Sequence, residues 1–101
     1  MVILSKRIIN AFSETEPRST DALLNWYKHS KAADWSNFAE VKRTFASVDS
    51  VGNDRYVFNI KGNDYRLIAK IHFNVRTIYI VFIGTHAEYD KVNASTVTPK
   101  N

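Results

Sequence analysis

The stretch RYVFNIKGNDYRLIAKIHFNVRTIYIVFIGTHAEYDK, from Arg55 to Lys91, carries the fold in its alternation and its turns. Gly62-Asn63 suits a two-residue primed turn, which needs residues that tolerate positive φ. Closing the chain there sets Lys61 opposite Asp64, Asn59 opposite Arg66, Val57 opposite Ile68 and Arg55 opposite Lys70. These share one face, because side chains alternate along a strand. The other face takes Tyr56, Phe58, Ile60, Tyr65, Leu67, Ala69, Ile71 and Phe73, a continuous core surface. A second turn at Asn74-Val75 pairs Phe73 with Arg76, Ile71 with Ile78, Ala69 with Ile80 and Leu67 with Phe82. On the opposite face Lys70 then meets Tyr79, Ile68 meets Val81 and Arg66 meets Ile83, which delivers Thr85 and His86 beside Asp64, Lys61 and Arg66. Val75 is poorly suited to a tight turn, so a longer loop with a bulge is the alternative.

Before the hairpins, Val2 to Leu4 reads as a short strand and Ser5 as the cap of a helix over Lys6 to Glu14. Pro17 separates it from a second helix, whose Ala22, Leu23, Trp26, Tyr27 and Ser30 recur at three- and four-residue intervals. Ser36 begins a third short helix with Phe38, Val41, Lys42 and Phe45 on a common side, and Asp49 to Asp54 is expected to be a loop. Thr85 to Lys91 is too polar to extend the sheet and reads as a turn or short helical segment. The tail, residues 95–101, is expected to fray. The fold class is α+β, with N-terminal helices packed on one face of a twisted antiparallel sheet and a single domain over residues 1–101.

The 101 residues contain 45% hydrophobic and 24% charged side chains, the balance of a folded globular chain. With no cysteine, thiol chemistry and zinc ribbons are excluded, and a reducing compartment, the cytoplasm, suits the composition. No apolar run suits a membrane span or a secretory signal. The net charge of +4 is concentrated in residues 55–86, where Arg55, Lys61, Arg66, Lys70 and Arg76 face Asp64 alone. An anionic partner follows from that bias.

His29, His72 and His86 do not cluster, so no metal site is expected, and Gly52, Gly62 and Gly84 are too scattered for a phosphate loop. What remains is Lys61, Arg66, His86, Tyr89, Asp90 and Lys91, whose types suffice to break an RNA phosphodiester without a metal or other cofactor. Such cleavage needs a base for the 2′-hydroxyl, cations for the charge on the phosphorane and an acid for the 5′-oxygen, and histidine serves either proton transfer near neutral pH. The same residues also admit plainer roles: Arg66 in an ion pair with Asp64 or Asp90, Lys61 as surface charge, His86 as a turn cap and Tyr89 as a packed aromatic. Val57, Ile68, Val81 and Ile83, apolar side chains on the basic face, require a cover.

FNIKGNDYRLIAKI and FIGTHAEYDKV, with WYKHSKAADW and VKRTF upstream, resemble the HigB family of bacterial toxins within the RelE/ParE superfamily, over nearly the whole chain. The resemblance implies a RelE-like fold and a ribonuclease that cuts messenger RNA on the translating ribosome, at its A site, through 2′-hydroxyl attack that leaves a 2′,3′-cyclic phosphate. It also implies neutralisation by a HigA-type antitoxin with a helix-turn-helix domain, through which alone operator DNA is bound. By resemblance Arg66 and Lys61 hold the phosphate, His86 transfers a proton, Tyr89 lies near the scissile nucleotide, Asp90 orients His86 and Lys91 contacts phosphate. Lys70 and Arg55 extend the RNA-binding face. ParE relatives, which poison DNA gyrase, and a catalytically silent antitoxin-binding module are the alternatives.

Overall fold

A computed structural model describes residues 1–99. Strand β1 (Val2–Leu4) leads into α1 (Lys6–Thr15), a 3-10 turn at Pro17–Ser19, α2 (Thr20–Ala32) and α3 (Phe38–Thr44). The second half is β2 (Asp49–Gly52), β3 (Arg55–Ile60), β4 (Tyr65–His72), β5 (Thr77–Thr85) and α4 (His86–Tyr89). The five strands form one mixed, twisted sheet in the order β1-β5-β4-β3-β2, with β1 parallel to β5 and the other pairs antiparallel.

Helices α1, α2 and α3 lie on one face of this sheet. The apolar stripes read from the sequence supply the core: Ile9 of α1, Leu23 and Trp26 of α2 and Val41 of α3 are buried against Phe58, Leu67, Ile71, Ile78 and Ile80. Phe58 is the hub of the aromatic packing, with Trp26 and Phe45 edge-on to it, each at 5.4 Å between ring centroids. Ser5 does not cap α1 with its side chain and takes a left-handed φ of 71° instead. The cap of α3 is Asn37, one residue past the expected Ser36, and accepts from the amide of Glu40 at 3.1 Å.

The first hairpin has the register read from the sequence, from Arg55 opposite Lys70 to Ile60 opposite Tyr65. Its turn differs in detail. Lys61 and Gly62, not Gly62 and Asn63, take positive φ, at 53° and 63°. The second hairpin closes where expected, the Arg76 amide donating to the Phe73 carbonyl, with Arg76 itself left-handed. Its register holds as far as Ala69 opposite Ile80 and then slips by one residue, so that Ile68 faces Phe82, Leu67 faces Ile83 and Arg66 faces Gly84. The extra residue, Val81, forms a bulge, which reverses the inward–outward alternation of the rest of β5. Ile83 therefore joins the helix-side core, while Val81 and Phe82 both lie on the opposite face.

Two further expectations are corrected. Asp49–Gly52, expected as a loop, pairs with β3 as an edge strand; its Asp, Ser and Gly are tolerated because that edge is exposed. The tail expected to fray from Ser95 folds back as a strap over the second sheet face, and only residues 100 and 101 lie outside the described part. Val92, Ala94 and Val97 of this strap cover Val57, Ile68 and Val81, which is how the apolar residues on the basic face are shielded from water. Asn53 donates to the Ser95 carbonyl at 2.8 Å and Arg55 to the Val97 carbonyl, so side chains fix a segment that has no regular structure.

Candidate active site at the end of the sheet

At the end of β5 the sequence Thr85-His86-Ala87-Glu88 is a capping box. The Thr85 hydroxyl accepts from the Glu88 amide at 3.2 Å, and the Glu88 carboxylate accepts from the Thr85 amide at 2.8 Å. This pattern was present in the sequence and fixes the start of α4. The His86 amide also donates to the carbonyl of Asp64 at 3.3 Å, tying the helix to the β3–β4 loop. Gly84 permits the close junction: a Cβ there would stand 2.5 Å from the Phe82 ring and 3.1 Å from the Glu88 Cβ.

α4 sets His86 and Asp90 one helical turn apart, with His86 Nδ1 3.2 Å from Asp90 Oδ2. When Nδ1 donates to that carboxylate, Nε2 is the nitrogen left to exchange a proton with a substrate. Both side chains are more than half exposed, so a large ligand can reach them. Tyr89 is half-buried against the patch of Val57, Ile68 and Val81, and the Arg66 guanidinium lies over its ring, 5.9 Å from the centroid. Arg66 Nη1 donates to the carbonyls of Asn63 and Tyr65 at 3.1 and 3.3 Å and forms no ion pair with a carboxylate among the described residues. Its charge is thus fixed in direction and not neutralised. Tyr65 lies opposite Thr85, and burial, then the carboxylate of Glu16, raises its phenol above the usual 10.0, so it stays protonated near neutral pH.

Arg66, His86, Tyr89 and Asp90 are therefore brought together. Lys61 is at the same end of the sheet but leans away from Arg66: its left-handed backbone sends Nζ to 3.5 Å from the Arg18 carbonyl, on the helix side. Arg18, which sequence reasoning did not single out, reaches Asp64 at 4.0 Å and adds a second exposed cation beside Lys61. Lys91 is exposed just beyond α4 and, with Arg7 of α1, helps line an open cleft of about 820 Å³ between α1, β5 and the strap. Lys70 lies four residues along β4 from Arg66, about 13 Å at the strand rise. Arg55, expected among the RNA-contacting cations, is nine-tenths buried under the strap, its guanidinium engaged by the carbonyls of Val97 and Asn53.

The helices and the five-stranded twisted sheet that carry these side chains make an α+β fold consistent with RelE-like toxins. Residues 19–92 match the HigB toxin family, described as the RelE-like toxic component of a toxin-antitoxin system, and the chain belongs to that family. It is 33% identical over 94 residues, 91% of each chain, to the mRNA interferase HigB of Escherichia coli O6:H1. It is also 38% identical over 52 residues, half of each chain, to the mRNA interferase toxin HigB of Escherichia coli K12. No helix among the described residues is long and apolar enough to cross a membrane.

Proposed function

We propose that this protein is an mRNA interferase, an endoribonuclease that cleaves messenger RNA on the translating ribosome and so halts translation. The observation that carries the reading is the His86–Asp90 pair at 3.2 Å, on a helix that also presents Tyr89 to Arg66. The 2′-hydroxyl oxygen attacks the adjacent phosphorus while the bond to the 5′-oxygen breaks. One proton leaves the 2′-hydroxyl and one reaches the departing 5′-oxygen, and the products are a 2′,3′-cyclic phosphate and a free 5′-hydroxyl. His86 Nε2 performs one of these transfers, with Asp90 holding the ring. Arg66 stabilises the phosphorane charge from a fixed position, a role that costs little reorganisation. Tyr89 offers a ring beside the scissile nucleotide, and Lys61, Lys70 and Lys91 hold flanking phosphates.

Membership of a toxin–antitoxin family supplies an antitoxin partner. We assign it to the HigA type, with a helix-turn-helix domain that carries the complex to operator DNA, and place the toxin in the cytoplasm at the ribosomal A site. The test is primer-extension mapping of messenger RNA after brief induction of wild type and of folded His86→Ala and Arg66→Ala variants. Cuts in wild type that vanish in both variants are expected. Growth arrest without cuts would move the activity to another target such as gyrase.

A further inference from the structure

Among the described residues Arg55 is a nearly buried cation without an anionic partner: its relative exposure is 9%, and it forms no ion pair with a carboxylate. Its partners are main-chain carbonyls: Nε and Nη2 both donate to Val97, at 3.1 and 3.0 Å, and Nη1 donates to Asn53 at 3.3 Å. A charged group in such surroundings is rarely retained for stability, since a well-packed apolar side chain would suit a patch made of valine and isoleucine. What the guanidinium adds is geometry. Its Nε and Nη2 form a rigid fork, and a single acceptor held between the two tines has one position.

The Val97 carbonyl held there belongs to a segment continuous with the candidate active site. From His86 to Val97 the chain is closed by local bonds. Asp90 donates to the His86 carbonyl and Val92 to that of Tyr89, while the Val97 amide donates to Asn93 at 2.9 Å. This segment is anchored at its start by the bond from the His86 amide to Asp64 and at its far end by Arg55, with Asn53 holding Ser95 between them at 2.8 Å. Tyr89 and the strap residues pack on the same buried patch, so the strap's position limits where the Tyr89 ring can lie, and Arg66 rests over that ring. α4 itself spans only four residues, too few to hold a fixed orientation on their own.

We infer that Arg55 is a positioning residue for the cleavage reaction: by pinning Val97 it holds the strap, and through the strap the Tyr89–Arg66 pair. The inference rests on the nuclease reading above. It also separates Arg55 from the cations that touch RNA, although it lies on the same sheet face as Arg66 and Lys70.

The variant Arg55→Met keeps an unbranched side chain of similar reach among apolar neighbours and removes the fork. Asn53→Gly removes the second anchor while keeping a residue suited to the positive φ of 52°, and it changes no charge. Cleavage in a translating extract should show a kcat lowered about ten- to a hundredfold in Arg55→Met, KM within about twofold of wild type and an unchanged salt dependence. Asn53→Gly should move kcat in the same direction by a smaller factor. Amide hydrogen exchange on the same proteins reads the positioning without any cleavage: Asp90, Lys91 and Val92 should exchange faster in both variants, with the paired amides of β3 and β4 unchanged. Unchanged exchange at those three amides would overturn the inference whether or not the protein cuts RNA. Faster exchange with a raised KM and a shallower salt slope would overturn it in favour of a direct phosphate contact. A wild type that fails to cut, with the exchange pattern as expected, would instead remove the nuclease reading and leave Arg55 as the anchor of α4.

Discussion

On the helix side of the sheet, three helices press interlocking aromatic and aliphatic side chains onto four strands, with Phe58 held edge-on by both Trp26 and Phe45. On the other side, three buried apolar residues lie under a short strap fixed by Arg55 and Asn53, and the charged groups crowd toward one end. The first face carries most of the apolar burial that stabilises the fold. The second buries little, and keeps Arg66, His86 and Asp90 open to a large polyanion. Stability and chemistry thus occupy opposite faces of one sheet, joined at the β3–β4 loop and the capping box.

Substitutions on the two faces should therefore fail in different ways. The largest effect on stability is expected from Phe58→Ala, which empties the centre of the aromatic cluster and should cost about 3–5 kcal/mol in urea unfolding. Its residual cleavage should follow the folded fraction alone. Gly84→Ala should cost less, about 1–3 kcal/mol, because the added methyl group displaces the Phe82 ring and crowds Glu88. That variant tests the junction between the faces, so thermal unfolding and cleavage should both suffer. Asp90→Asn leaves the shape intact and weakens the hold on His86; about tenfold slower cleavage with unchanged unfolding is expected, checked by single-turnover rates.

The smallest effect lies at Glu40, far from the chemistry. Hydrogen bonds from the Ser36 hydroxyl and amide hold its carboxyl below the usual 4.5. A lowered folded pKa contributes stability that is present above the unfolded value and lost as pH falls through the folded one. Glu40→Gln should remove that part of the acid dependence, so a pH series of unfolding curves should converge with wild type at low pH and leave cleavage untouched.

How much of this was legible in the sequence differs between the same two faces. The first hairpin could be read residue by residue, because Gly62 marks the turn and strict alternation leaves one register for its apolar set. The helix stripes were equally plain from Leu23, Trp26 and Val41. The slip at Val81 was not, since Ile78-Tyr79-Ile80-Val81-Phe82-Ile83 is apolar throughout and gives alternation nothing to act on. Asp49–Gly52 has the composition of a loop and becomes a strand only because β3 offers an open edge.

At the site, the resemblance of the GTHAEYD segment pointed to His86, Tyr89 and Asp90, and their placement together follows from a capping box visible as Thr85-x-x-Glu88. The direction of Lys61 could not be read, because it depends on a left-handed backbone at a non-glycine residue. Nor could the burial of Arg55, because a polar tail with scattered Val92, Ala94 and Val97 shows no periodicity that would announce a cover.

The most direct test of a chemistry separated from stability is a paired measurement on His86→Ala, with thermal unfolding and the mapped rate of messenger RNA cleavage taken from one preparation. The account predicts an unfolding midpoint within about 2 °C of wild type, because the side chain is exposed, together with cleavage slowed about 100- to 10,000-fold. Undiminished cleavage by that folded variant would contradict it.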